Sequence, residues 1–278
     1  MLKTALIQLN SGDMPAENVP VTQAFIAEAA AAGARFVLTP EVTNCVSSSR
    51  AHQMDVLQTE AEDQTLAALR AQAQALGIWL LIGSLALKTE DTDGRFANRS
   101  FLIGPDGRIV ARYDKMHMFD VTVSLTESYH ESKGYRPGER AVVADIDRAR
   151  LGLSICYDIR FPYLYRALAQ AGATILTAPS AFSTGTGPSH WEPLLKARAI
   201  ETGSFVLAPA QTGTHAAQNG KPRKTYGHSM AISPWGEILY DAGQEPGISL
   251  ISLDLSQAET VRDSIPSLTH TRSFTGPE

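Results

Sequence analysis

Short apolar runs with strand character alternate with helical patterns along this chain, and its second half repeats the order of the first. TALIQL, RFVLTPE and IWLLIGSLAL read as strands. Between them the pattern predicts an Ala-rich helix over Val21–Ala34, with Gly33 as its stop. A second, amphipathic helix lies in DQTLAALRAQAQALG, with Asp63 at its start and Gly77 at its end. FLIGPDGRIVAR is a hairpin turning at Pro105, Asp106 and Gly107. The second half offers LGLSIC as a strand ending at Cys156, then a helix with Pro162 in its first turn. TILTAPS, the helix HWEPLLKARAIETG and SFVLAPAQ follow. MAISPWGEILYDAG is a hairpin at Pro234, Trp235 and Gly236, and ISLDL closes the sheet. LTPE echoes LTAPS, and GPDGRIV echoes SPWGEIL. The echo predicts two sheets related by approximate two-fold symmetry within one domain. Alternating helices and strands pack as layers. Two such sheets face to face make an α/β fold, a four-layer α-β-β-α sandwich.

At 278 residues, 44% hydrophobic and 19% charged, the chain can bury a large core. Its net charge of -5 argues against a nucleic-acid partner, which selects a basic face. Two cysteines, Cys45 and Cys156, make no disulfide framework and suit a reducing compartment. MLKTALIQLN is too soon interrupted by polar residues for a signal peptide. No apolar run reaches the roughly 20 residues of a membrane helix. The expectation is a cytoplasmic protein without a membrane partner. It forms a single domain over 1–278 with a C-terminal arm from about 266. Asp120 to Gly138 reads as a long polar loop without periodicity, and Thr214 to Thr225 as a second exposed loop.

Cys156 lies in LGLSICYDIRFP, where a thiol at a strand-to-helix turn is readily presented to a substrate. Such a thiol ionises near pH 8.5, so it needs a base to take its proton and donors to hold its charge. A cysteine alone is most often an inert core residue. The charged residues that follow it in YDIRFP favour a site, because charges beside a core strand need partners. Glu41 ends RFVLTPE, where sheet enzymes place catalytic groups. Partial burial is expected to raise its pKa and make it a better base; the bland alternative is a solvated acid. Lys115, in RYDKMHMFD, is either an oxyanion donor or a surface lysine paired with Asp114 or Asp120. Glu131, in HESKGYRPG, is a second carboxylate that holds Lys115 charged and positions the substrate amine, or a loop acid in water. Glu127 has the same chemistry, and position does not separate the two. None of the seven histidines makes a close metal pattern. No phosphate loop or GxGxxG opens a helix. No metal, nucleotide or other cofactor is inferred.

LTPE with Glu41, YDKMHMFD with Lys115 and SICYDIRFP with Cys156 together resemble the nitrilase superfamily, the carbon–nitrogen hydrolases. LTAPSAF, TGPSHWEPLLKARAIE and YGHSM with PWG support the match, which runs from Thr4 to about Arg272. The branch resembled contains deaminated-glutathione amidase and omega-amidase. The resemblance implies the α-β-β-α sandwich of the nitrilase type, a homodimer or higher homo-oligomer, and a small-molecule amide as substrate. The KARAIE helix, with Arg198 and Glu201, and the tail are its implied interface. Cys156 is then the nucleophile, Glu41 the general base, Lys115 the oxyanion donor and Glu131 an additional site glutamate. The Tyr157 N–H completes the oxyanion hole. The implied reaction hydrolyses a primary amide of a small 2-oxo acid, of the deaminated-glutathione type, to carboxylate and ammonia through a thioester. Omega-amidase action on smaller 2-oxo acid amides, N-carbamoyl hydrolysis and a catalytically silent scaffold are the alternatives. Arg160 is expected either to pair with a substrate carboxylate or to bridge to Asp158 or to the polar loop. Ala181 and Phe182 are expected to wall the pocket, as are VTNCV and VTVSLTESYHESK.

Overall fold

The computed structural model describes residues 1–123 and 128–277. Among them the strands, numbered along the chain, form two six-stranded sheets and two short ribbons. The first sheet has the order β16-β1-β2-β3-β4-β5. These are Gly247–Leu253, Leu2–Gln8, Phe36–Leu38, Trp79–Leu87, Ala97–Ile103 and Ile109–Asp114. The second has the order β15-β14-β11-β10-β9-β8. These are Ile238–Asp241, Met230–Ile232, Phe205–Ala208, Ile175–Thr177, Ala149–Gly152 and Val143–Ile146. The ribbons are β6 (Asp120–Thr122) with β7 (Ser128–His130), and β12 (Thr212–Thr214) with β13 (Lys224–Tyr226).

The two sheets share one pairing pattern. From β16 to β5 the neighbours run antiparallel, parallel, parallel, antiparallel, antiparallel. From β8 to β15 the same series recurs. The echoed hairpins GPDGRIV and SPWGEIL occupy equivalent edges, and LTPE and LTAPS both leave the central strand of their sheet.

Alternation along the strands sets the layers, because successive side chains point to opposite faces. Leu2, Leu6, Phe36, Leu38, Leu81 and Leu102 share one buried cluster with Leu151, Ile175 and Phe205, which lie on one face of the second sheet. Ala5, Ile7, Val37, Leu80, Ile82 and Ile103 face the other way. They meet Ile26 and Ala29 of α1 (Pro15–Ala31) and Leu66, Leu69 and Ala73 of α3 (Gln64–Leu76). Helices α4 (Pro162–Gln170) and α5 (Gly187–Thr202) cover the far face of the second sheet through Leu164, Leu168, Leu195 and Ala199. Strands buried on both faces become near-continuous apolar runs, which is why they stood out in the sequence.

Several boundaries differ from the sequence reading. Helix α1 begins at Pro15 rather than Val21 and carries Pro20 inside it. Pro15 suits the first turn, where its missing N–H is already without an intrahelical partner. Asn18 fastens this entry by accepting from Gly12 N–H at 2.8 Å and donating to Asn44 O at 2.8 Å. The strand before Cys156 ends at Gly152, and the thiol residue opens a 3₁₀ turn, Cys156–Arg160. Asp120 to Gly138 is not structureless, since β6, β7 and a 3₁₀ turn at Glu131–Lys133 occupy it. Nor is Thr214 to Thr225 simply an exposed loop, since His215 and Thr225 are buried. The short helices α2 (Arg50–Val56) and α6 (Ser256–Ser264) and the strand β8 were not anticipated. Beyond α6, the start of the tail is held where Arg166 donates to Ser267 O at 3.2 Å and Gln170 to Leu268 O at 3.0 Å. Among the described residues no helix is long and apolar enough to cross a membrane.

Candidate active site

Loops leaving both sheets, the ribbon β6–β7 and the connection between β12 and β13 build a cavity of about 390 Å³. Glu41 lies in the turn after β2, held by an irregularity in β3. The Ser84 hydroxyl accepts from Val42 N–H at 2.8 Å, and Gly83 N–H donates to the Thr39 hydroxyl at 3.1 Å. Gly83 must be glycine here, because a Cβ would sit 2.0 Å from Thr39 O and 2.6 Å from Pro40 O. Lys115 directly follows β5, and its N–H extends the ladder to Asn98 O on β4 at 3.0 Å. Asn98 and Lys115 thus stand opposite each other on one hairpin. The ribbon β6–β7 delivers Glu131.

Cys156 has a φ of +49°, a conformation that L residues rarely adopt. Its N–H is held by Pro179 O at 3.0 Å. Buried Asp158 fastens the turn from below. One carboxylate oxygen accepts from Ile155 N–H at 2.9 Å and Tyr113 O–H at 2.6 Å. The other accepts from His117 N–H at 3.0 Å and lies 2.7 Å from His117 Nδ1. Asp158 therefore joins the chain beside Lys115 to the turn that carries Cys156. Arg198, buried in α5, braces the same turn by donating to Ile159 O at 2.7 Å. Its side chain also pairs with Glu201 at 2.6 Å.

The sequence-distant acid, ammonium and thiol meet. Lys115 Nζ donates to Glu41 Oε1 at 2.9 Å and to both oxygens of Glu131 at 2.9 Å. The surface-lysine alternative does not apply, since Lys115 is 2% exposed. Glu41 also accepts from Asn98 Nδ2 at 2.9 Å and from Ala181 N–H at 2.8 Å. The Cys156 thiol lies close enough to this group for the charges of Glu41, Lys115 and Glu131 all to act on it. Glu131 accepts from Phe119 N–H at 2.6 Å as well.

Charge states follow from this wiring. Burial pushes the Glu41 carboxyl up, but Lys115, Ala181 N–H and Asn98 together outweigh it and hold the pKa below its ordinary value. This corrects the expectation that burial would raise it. Burial works against the Lys115 ammonium, and the two carboxylates reverse that and keep it charged. Burial, then the Glu41 charge, push the Cys156 thiol well up, with Lys115 opposing. The resting site is therefore a carboxylate, an ammonium and a neutral thiol. That is a base already ionised beside a thiol that keeps its proton until it attacks.

Of the remaining expected residues, Tyr157, Ala181 and Phe182 line the cavity. Among the described residues none accepts from the Tyr157 N–H. Phe182 packs on Trp191 with ring centroids 4.9 Å apart. Arg160 does not line the cavity. Its guanidinium lies 5.8 Å from the Tyr157 ring and 5.7 Å from Phe182, and meets His190 Nδ1 at 3.1 Å. The bridge from Arg160 to Asp158 does not form, because Asp158 is taken by Tyr113 and His117. Of the two segments expected in the wall, Val42 and Ser128 through Glu131 line it. Glu127 lies outside the described residues. Asn98, Tyr135, Ser47, Ser48 and Arg223 also line the cavity without having been anticipated. Among the described residues no cluster of His, Cys, Asp or Glu is placed to hold a metal ion.

A four-layer sandwich that gathers a carboxylate, an ammonium and a thiol at one end of its sheets is the arrangement of a carbon–nitrogen bond hydrolase. Sequence comparison agrees. The chain belongs to the carbon–nitrogen hydrolase family, whose model matches residues 3–263. A deaminated glutathione amidase of Yersinia enterocolitica is 36% identical over 272 residues, 96% of this chain and 92% of its own length. Human omega-amidase NIT2 is 35% identical over 271 residues, 98% of this chain and 95% of its own. Among solved structures, the C. elegans NitFhit protein matches with a TM-score of 0.89 at 34% identity. That match covers 98% of this chain and 65% of the longer NitFhit chain. The chain is accordingly a hydrolase acting on amides.

Proposed function

We propose that this chain hydrolyses the amide of a small 2-oxo acid, of the deaminated-glutathione type, through a thioester on Cys156. The observation that carries the chemistry is the contact of Lys115 with both Glu41 and Glu131 in the cavity that Cys156 also lines. The names of the relatives support the substrate class.

Glu41 takes the thiol proton as Sγ attacks the amide carbon, so no free thiolate forms in the resting site. Lys115 has three N–H donors for its acceptors. With one on Glu41 and one shared by the two Glu131 oxygens, the third is available to the oxyanion, alongside the Tyr157 N–H. Glu131 acts through Lys115 by fixing its ammonium. As the tetrahedral adduct collapses, Glu41 returns the proton to the departing nitrogen and the C–N bond breaks. Glu41 then removes a proton from water, whose oxygen attacks the thioester. Sγ leaves with that proton, and the carboxylate is released. The leaving amine follows from the substrate. It is ammonia for a primary amide and the amine of cysteinylglycine for deaminated glutathione.

Omega-amidase action on smaller 2-oxo acid amides is a second reading, supported by the match to human omega-amidase NIT2. Release of the 2-oxo acid from deaminated glutathione and 2-oxoglutaramate, set against release of the free amino acid from an N-carbamoyl amino acid, separates these readings, with Cys156→Ala as control. The expected result is the highest kcat/KM for deaminated glutathione and no turnover by the variant. A larger kcat/KM for the carbamoyl compound sinks the substrate reading, and near-normal turnover by Cys156→Ala sinks the chemistry.

The proposal extends to a single cytoplasmic domain over 1–278, with an arm from about 266, acting as a homodimer. Light scattering during gel filtration should give a mass of twice 29.9 kDa or more; a monomer mass counts against the assembly.

A further inference from the structure

We propose that Arg223 binds a carboxylate of the substrate and thereby selects anionic amides over neutral ones. The inference rests on the amidase reading above. Apart from His130, the cations lining the cavity among the described residues are Lys115 and Arg223. Lys115 is neutralised by two carboxylates. Among the described residues no carboxylate lies within ion-pair distance of Arg223, whereas Arg99, Arg136, Arg150 and Arg198 each hold at least one.

Arg223 is half-buried rather than turned out to solvent. Its positive charge is felt at Cys45 and His215, both buried, and at Tyr135 in the cavity wall. The backbone that carries it is fixed on each side. Lys221 O accepts from the Ser48 hydroxyl at 2.7 Å, Arg223 O from His215 N–H at 2.9 Å, and Phe182 O from Tyr226 N–H at 3.0 Å. Neighbouring parts of the wall, Ser47, Ser48, Ser183 and Thr186, supply hydroxyls and no negative charge. A guanidinium held in such a wall presents a planar fork that matches a carboxylate with two parallel hydrogen bonds. Arg160, by contrast, stands behind Tyr157 and Phe182 and outside the lining.

A 2-oxo acid amide carries a carboxylate on the acyl side of the scissile bond, and deaminated glutathione carries a second on the amine side. Steady-state kinetics of Arg223→Gln and Arg223→Lys on deaminated glutathione, 2-oxoglutaramate and propionamide tests the assignment. Arg223→Gln should raise KM by about tenfold or more on an anionic substrate, the loss of one charge-assisted contact, with kcat nearly unchanged. It should leave kcat/KM for propionamide as it was, and Arg223→Lys should recover only part of the loss. A rise on both anions places the contact on the acyl side; a rise on deaminated glutathione alone places it on the amine side. Unchanged KM on both anions overturns the proposal. So does an equal loss on propionamide, which marks a structural role, or a KM effect in Arg160→Gln without one in Arg223→Gln. If the wild type turns over propionamide and neither anion, the 2-oxo acid reading fails and this inference with it. If the wild type hydrolyses the anions and Arg223→Gln matches it, only the inference fails.

Discussion

Replacing Asp158 with Asn keeps the shape of a fully buried side chain and removes acceptors from the turn that presents Cys156. The carboxylate serves Ile155 N–H, Tyr113 O–H and His117 N–H, and lies against His117 Nδ1. An amide has one acceptor oxygen, so it strands one of the two backbone donors whichever way it is turned. The Tyr113 hydroxyl can rotate and the imidazole can change tautomer; Ile155 N–H and His117 N–H cannot adapt. A stranded buried donor costs about 1–3 kcal/mol, and the loss of charge from the surviving bonds adds about 1 kcal/mol. The expected destabilisation is therefore about 2–4 kcal/mol, read as a lower urea midpoint at unchanged slope. The same loosening displaces the thiol and the Tyr157 N–H from the reacting carbon. A misplacement of about 1 Å lowers turnover about 100-fold, so kcat should fall well over tenfold while KM stays within about threefold. An Asp158→Asn protein within about 0.5 kcal/mol of wild type, with kcat within twofold, refutes the claim that Asp158 positions the nucleophile.

Glu41 is held below its ordinary value of 4.5, so the acid limb of kcat/KM should lie below that pH. Burial holds the Cys156 thiol well above the ordinary thiol range, so thiol ionisation should set no limb at neutral pH. Asn98→Ala removes one of the bonds that lower Glu41, so its acid limb should move to higher pH; a shift to lower pH contradicts the wiring. The same lowering makes Glu41 contribute stability above its unfolded value, lost as pH falls through the folded one, which acid titration of unfolding measures. Gly83→Ala places a methyl 2.0 Å from Thr39 O and should destabilise by about 3 kcal/mol while lowering kcat through the Glu41 turn. A Gly83→Ala protein with wild-type melting temperature and kcat would show that the turn yields freely. Glu131→Gln should lower kcat more than it raises KM, because it weakens the clamp on Lys115 without touching the thiol; a pure KM effect points to substrate binding instead.

The layers were legible because buried strands leave unbroken apolar runs and the hairpin turns carry Pro and Gly. Glu41, Lys115 and Cys156 were legible from their motifs and order. Asn98 was not, since in FANRSF it reads as an ordinary strand residue and acquires its partner only when β4 and β5 pair. Arg223 sits among the basic residues of GKPRKTY, with nothing local to distinguish it. Strand β8 escaped because its turn to β9 runs through Asp147 at a φ of +41° rather than through a glycine. The sign of the Glu41 shift was missed for a related reason. Burial can be guessed from position along a chain, whereas the three donors that outweigh it come from Asn98, Lys115 and Ala181 on separate strands and loops.

Rapid quench of the protein with excess deaminated glutathione, followed by intact mass and peptide mapping, tests the centre of this account. The prediction is a 2-oxo acyl group on Cys156 that appears within one turnover, decays as substrate is exhausted, and is absent from Cys156→Ala. Steady hydrolysis with Cys156 never acylated, or the same adduct on the Cys156→Ala protein, contradicts it.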